Sequence, residues 1–393
     1  MFCLVGFSVL DGIRDTFIQG SAFSYTKEFL IAVGCVAVIL FRSAEAGRLQ
    51  REAILMLFCL AYLSVNLIIT TKFMDGDIAS RHHLQSNLNF GGWSIVIKVF
   101  ALIFFSAFLS EVRNLYPKIY AKIPFLYCNW AIVYCVVTVF FIVTGLSKKL
   151  TMRNWGGRLS IGYPTMDAII LMIAIIFVIH SKWSASRKFL LIVLYSCVIV
   201  MQNTASGYMA IGIYLILLGF ILPSWWKLIP ISLIAMAVSV FWAIYEYFYI
   251  RMGMFGGIIV DKINGFIFGQ NTSSVSARIA QIHNLKIDIL SNPIGLIFGG
   301  GGSGSYYVES QFYAVLGAWG GVGIAFFAIF YAAYFVDSLR SQDRAFRICF
   351  LSIFLVGAIP LGGLNLFPFL FHWAYMSTHM GVKKIAGIQL RNP

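Results

Sequence analysis

The chain has 393 residues, of which 60% are hydrophobic and only 11% charged. Soluble domains carry about 45–50% apolar and about 25% charged residues, so water is excluded as the solvent for most of this surface, and lipid takes its place. The net charge of +14 does not point to nucleic acid, because the basic residues stand singly or in threes between apolar runs, without a cluster interleaved with aromatics.

Twelve apolar segments follow in order: 2–10, 29–41, 53–70, 93–110, 124–146, 165–180, 189–201, 208–222, 228–250, 310–336, 348–360 and 365–381. Each is read as a membrane helix, giving an all-α polytopic bundle of about 12 spans in a single integral domain, 1–393. The first, Met1–Leu10, lacks a charged leader and a small-residue cleavage site, so it reads as a span rather than a signal peptide. The seven cysteines lie in or beside these segments without a CxxC pair or metal-ligand spacing to histidine, and read as small core hydrophobes. No pair of histidines has the HxxxH spacing of a zinc site, so neither metal nor cofactor is expected.

Lys and Arg set the orientation. The stretches 42–52, 111–123, 181–188, 223–227, 337–347 and 383–393 hold 16 basic residues in 59 positions, against 12 in 127 for the alternate set. The denser side is expected to be cytoplasmic, with both termini on it, and the other side periplasmic. The two largest non-cytoplasmic stretches are then 147–164 and 251–309. The second is far longer than a helix connection needs. Within it Ser274–Leu290 has helical character, with Ser274 or Ser276 as its cap and Gln281, Asn284 and Asp288 along one stripe.

These external stretches are basic against the topological bias. Lys148, Lys149, Arg153 and Arg158 lie in the first, and Arg251, Lys262, Arg278 and Lys286 in the second. An anion at the membrane surface, a phosphate or pyrophosphate, would use them, since the planar guanidinium fork grips phosphate oxygens in pairs. The competing account is snorkelling toward lipid headgroups. Glu309 precedes segment 310–336, where partial loss of solvent raises a carboxyl pKa and makes it a usable proton acceptor. His283 is a candidate base or phosphate donor, though a solvated loop histidine explains it as well.

Gly299–Gly302 lacks the ending of a phosphate-binding Walker loop and reads as a hinge or tight turn. The small residues of Gly317–Gly323 read as a close helix contact. Two polar breaks, Gln202–Gly207 and Pro360–Asn365, interrupt apolar runs, and ionisable residues inside the spans reduce to Lys98, Glu246 and Asp167. A transporter with paired broken helices would show symmetric halves and more buried charge.

Three stretches resemble the superfamily of O-antigen polymerases and ligases. Arg158-Leu-Ser-Ile-Gly-Tyr-Pro164 is similar to its arginine, glycine and proline signature, and Gln202-Asn-Thr-Ala-Ser-Gly207 to its short polar break. The third runs from Arg278 through Asn292-Pro-Ile-Gly295 and the glycine run to Glu309-Ser-Gln-Phe-Tyr-Ala-Val-Leu-Gly-Ala-Trp-Gly320. Thr165 and Asp167 stand where the family often has asparagine, and Glu309-Ser310 where ligases carry His-Asn, which favours polymerase. The resemblance implies a metal-independent glycosyltransferase of the bacterial inner membrane, moving a glycan from undecaprenyl pyrophosphate to the non-reducing end of an incoming lipid-linked repeat unit. Membrane lipid and a chain-length regulator are the implied partners. On that reading Arg278 and Arg158 clamp the departing pyrophosphate, Glu309 accepts the proton of the attacking hydroxyl, and His283, Tyr163, Arg153 and Lys286 contact substrate. A ligase and a lipid-linked oligosaccharide flippase are the alternatives.

Overall fold

A computed structural model describes residues 1–17, 33, 61–62, 64–66, 68, 91–144, 164–202, 204–221, 273–287, 292–299, 310–359 and 367–379. Every element within them is helical: α1 Phe2–Phe17, α2 Gly91–Leu115, α3 Pro117–Tyr120, α4 Ile123–Val143, α5 Pro164–His180, α6 Ala185–Met201, α7 Ala205–Ile221, α8 Ser273–Leu285, α9 Pro293–Phe298, α10 Gln311–Leu339, α11 Arg344–Ala358 and α12 Phe367–Ser377. The described residues of segment 53–70 are also helical, as is Val33 of segment 29–41, while segment 228–250 lies outside the described residues. Two stretches, Pro117–Phe141 and Trp319–Leu339, are long and apolar enough to cross a membrane, and Pro164–His180 and Ser206–Leu217 are apolar but shorter.

Helix starts and stops follow local chemistry. Pro164 opens α5 and Pro293 opens α9, where a missing N–H costs nothing and φ is already helical. Asn292 caps α9, its Oδ1 accepting the Ile294 N–H at 2.9 Å, and Gly299 ends it at φ 76°, the left-handed stop glycine permits. Of the run read as a hinge or tight turn, Gly299 is a helix stop, and Gly300–Gly302 lie outside the described residues. Thr204 caps α7 by accepting the Gly207 N–H at 3.1 Å, so α7 begins ahead of the predicted residue 208. Likewise α8 is already helical at Ser273, before either serine expected to cap it.

The hub is α5. All residues from Pro164 to Val178 are buried, in keeping with a helix that is apolar on every side. It packs against α1, α4, α6, α7 and α11. Tyr127 and Cys128 of α4 face its Ile170 and Ala174 carbonyls, and Ile169 touches Gly357 of α11, where a Cβ would come within 3.0 Å. The cysteines mostly behave as core residues: Cys128, Cys135 and Cys349 are buried and Cys197 half-buried. Cys3 departs from that expectation and is exposed, because α1 turns its Val5 and Val9, not Cys3, inward.

The helices gather their ends at two levels. At one, Arg113 of α2 donates to the Thr378 carbonyl beyond α12, and the Tyr120 hydroxyl lies 2.5 Å from Thr378 Oγ1. Lys188 Nζ donates to the Ile179 carbonyl at 2.9 Å, Phe346 stacks on Phe177, and Arg347 pairs with Asp337 at 2.7 Å. Three of the basic connections, 111–123, 181–188 and 337–347, thus meet at this basic end. The starts of α5 and α7 and the ends of α6 and α11 meet at the other, the polar end.

Candidate functional site

The polar end is organised by Asp167. Its place in the first turn of α5 suits a carboxylate, which the helix dipole favours there. The side chain is 1% exposed, so its charge or proton must be held by neighbours rather than water. Tyr134 of α4 donates its O–H to Asp167 Oδ2 at 2.8 Å, and Gln202, at the end of α6, donates Nε2–H to the Tyr134 oxygen at 3.0 Å. The chain of donors runs one way, from amide to phenol to carboxylate, which leaves the amide oxygen of Gln202 turned away, and no group among the described residues bonds it. Thr138, one turn above Tyr134 on the same face of α4, is fully buried, with its hydroxyl likewise unbonded among them. Thr204, in the break between α6 and α7, and Ser206, in the first turn of α7, are buried too. The cluster therefore joins three helices and carries acceptor capacity that the described residues do not use.

A second polar feature breaks α10. Gly320 has φ 62°, ψ −155°, outside helical conformation, and α9 fills the notch: a Cβ on Gly320 would meet the Ile297 carbonyl carbon and oxygen at 2.4 Å. The Tyr62 hydroxyl donates to the Trp319 carbonyl at 3.1 Å beside this break, and the Asn66 amide donates to the Phe298 carbonyl. Of the small residues in 317–323, Gly320 and Gly321 approach α9, a six-residue helix, with a loss of helical continuity at Gly320, whereas Gly323 faces Trp319 and Val315 of its own helix.

Deeper in the bundle His372 of α12 is fully buried, its Nε2 2.8 Å from the Tyr127 hydroxyl, against the rings of Phe350 and Phe371. Its Nδ1 has no hydrogen-bond partner among the described residues.

Of the residues singled out from the sequence, Glu309, Arg158, Arg153 and Tyr163 lie outside the described residues. Arg278 belongs to α8, and its side chain lies outside the described part as well. His283 and Lys286 are exposed at the end of α8, and Gln281 and Asn284 of the proposed stripe are half-buried. In chain order Glu309 directly precedes Ser310, the residue before α10, and Tyr163 directly precedes α5. Asp167 and the 202–207 break are visible in the sequence. Tyr134 is not singled out there, since nothing in an apolar run marks the one tyrosine that faces an acid on another helix. No protein-family model matches this chain, and no curated protein or solved structure matches it.

Proposed function

We propose that the chain is a bacterial polysaccharide polymerase of the inner membrane, with its basic end in the cytoplasm and its polar end in the periplasm. There it transfers a glycan from undecaprenyl pyrophosphate to a lipid-linked repeat unit. The observation that carries the reading is the buried Asp167–Tyr134–Gln202 cluster at the end of the bundle where α5 begins and α6 ends. The stretches that hold Arg158 and Glu309 run directly into α5 and α10. Placing α5 rigidly is what a pair of cations and a carboxyl group on separate loops requires, because a misplacement of about 1 Å costs on the order of a hundredfold in rate.

In this mechanism Arg278 and Arg158 neutralise the pyrophosphate as it departs, in a site poor in water where fixed charge acts strongly. Glu309 takes the proton of the attacking sugar hydroxyl. His283, Tyr163, Arg153 and Lys286 orient the substrate. Asp167, Tyr134 and Gln202 fix the helices that carry them.

The test is lipopolysaccharide banding in a strain lacking this gene and complemented with variants. Arg158→Ala, Arg278→Ala and Glu309→Gln are each expected to abolish the ladder and leave core capped with one repeat unit. A normal ladder from both arginine variants would end this reading. Bare core without any repeat would indicate a ligase instead. A flippase is the second reading, favoured by one observation: a carboxyl group buried among helices, as carriers use. It predicts unpolymerised lipid-linked units held on the cytoplasmic face, which labelling of the outer leaflet in spheroplasts separates from polymerase loss.

A further inference from the structure

The basic end carries a second feature, independent of the polar cluster. In the stretches 111–123, 181–188 and 337–347 nine lysines and arginines face three acids, Glu111, Asp337 and Asp343. Several of these cations are engaged by close neighbours, since Arg113 and Lys188 bond helix-end carbonyls and Arg347 bonds Asp337. Arg187 is different. Its guanidinium lies 4.2 Å from the centre of the Trp183 ring and 5.9 Å from that of Phe125, and the two rings meet edge-on at 6.0 Å. No carboxylate pairs with it among the described residues.

Arg187 is exposed while its guanidinium lies over the Trp183 ring, so its N–H groups are open to solvent, and a planar fork suits paired bonds to phosphate oxygens. The chemistry changes one turn further along α6. Leu190 is 67% exposed and Phe189 47% exposed, and Leu194 continues the strip. Across the niche Phe125 is 42% exposed. A cation on an aromatic plate, with an apolar strip leading away from it toward the middle of the bundle, complements a ligand that is an anion at one end and an alkyl chain at the other.

We propose that Arg187, Trp183 and Phe125 form a headgroup niche for an anionic phospholipid, the phosphate on Arg187 and an acyl chain along Leu190 and Leu194. The proposal rests on the reading that these helices span a membrane, though not on the polymerase activity. Basic pockets between helices on the cytoplasmic side are where such headgroups bind, and the stacked arginine sets this position apart from an unspecific basic surface.

The full chain, purified in a neutral detergent, is studied by native mass spectrometry with added phosphatidylglycerol or phosphatidylcholine. The expected result is preferential retention of one or two phosphatidylglycerol molecules, reduced roughly tenfold by Arg187→Ala and by at least half in Arg187→Lys, which keeps charge but loses the fork. Arg344→Ala, on an exposed cation of the same end, is expected to leave retention unchanged. Equal retention by wild type and Arg187→Ala, or equal retention of phosphatidylcholine, overturns the proposal. So does the same thermal stabilisation by inorganic phosphate at matched ionic strength, which would indicate an ion site rather than a lipid niche. If Arg187→Ala does not fold, Arg187→Lys decides: undiminished preference is the overturning result. Carbonate extraction of membranes keeps the two levels apart. Release of the chain defeats the membrane reading and the niche with it, whereas retention without lipid preference defeats the niche alone.

Discussion

The two ends of the bundle solve the same problem in opposite ways. At the basic end helix termini are tied to neighbours by cations: Arg113 on Thr378, Lys188 on Ile179, Arg347 on Asp337. The connections there are short, Leu339 to Arg344 and His180 to Ala185. At the polar end the ties are neutral hydroxyls and amides around one buried acid. Among the described residues, the oxygens of Gln202 and Thr138 there keep acceptor capacity in reserve. At the basic end the ties carry charge, and at the polar end they are neutral hydrogen bonds to a buried carboxyl group.

The strongest way to break this division is Gly320→Ala. The left-handed φ strains any Cβ, and the atoms it meets at 2.4 Å are backbone of Ile297, which cannot swing aside like a side-chain tip. We expect a loss of about 3–5 kcal/mol, read as loss of monodisperse protein in detergent. Gly212→Ala is its control, since a Cβ there meets nothing within 4 Å. Should Gly320→Ala melt like wild type, α9 does not sit in the notch.

Next in size is Tyr134→Phe. It strands the Gln202 amide and takes a donor from Asp167 within the bundle, a cost of about 1–3 kcal/mol. Gln202→Leu removes the first donor of the same relay. If the relay is real the two changes couple by about 1 kcal/mol in a double-mutant cycle, whereas purely additive losses would show independent sites. The same variants sharpen the functional comparison, because the polymer ladder should shorten with either one while cation substitutions at the basic end lower protein amount without altering chain length.

How far the sequence already held this arrangement varies from place to place. Segment 165–180 is apolar on every side, which marks a helix hidden from water, but only the structure shows that α5 is enclosed by other helices. The polar break 202–207 is legible because Gln202 and Thr204 interrupt a run of aliphatics, and Gly299 because the glycine run reads as a hinge or tight turn; Gly300–Gly302 lie outside the described residues. Tyr134 escapes, since its importance lies in facing Asp167 across a helix contact, which periodicity along one chain does not encode. Gly320 is read correctly as a packing residue and incompletely as a break, because small-residue spacing carries no backbone angle. Arg187 escapes for a third reason: within 181–188 it counts as one more topology signal, and only its stacking on Trp183 distinguishes it.

At the basic end Arg347→Met tests the ion pair while keeping its bulk. Asp337 is 38% exposed, so water offsets much of the loss, and about 1–2 kcal/mol is expected. The thermal midpoint should fall with no change in polymer length. A shortened ladder would mean that the two ends are not separate in function.

The smallest expected effect is the most local. Thr204→Ala removes the cap of α7 by deleting the oxygen that accepts the Gly207 N–H at 3.1 Å. A lost cap costs about 1 kcal/mol, too little to unfold the bundle but enough to loosen the first turn of α7. Hydrogen exchange at Gly207 and Tyr208 should therefore rise several-fold while the α5 amides stay protected, and Thr204→Ser should restore the wild-type rate. The measurement discriminates because Gly207 is also pinned sterically: a Cβ there would come within 3.1 Å of Ala168 and Ile199. If packing alone held the turn, Thr204→Ala would leave exchange unchanged. If the hydroxyl holds it, the break between α6 and α7 moves independently of the hub, and the polar end has a segment free to respond to what binds there.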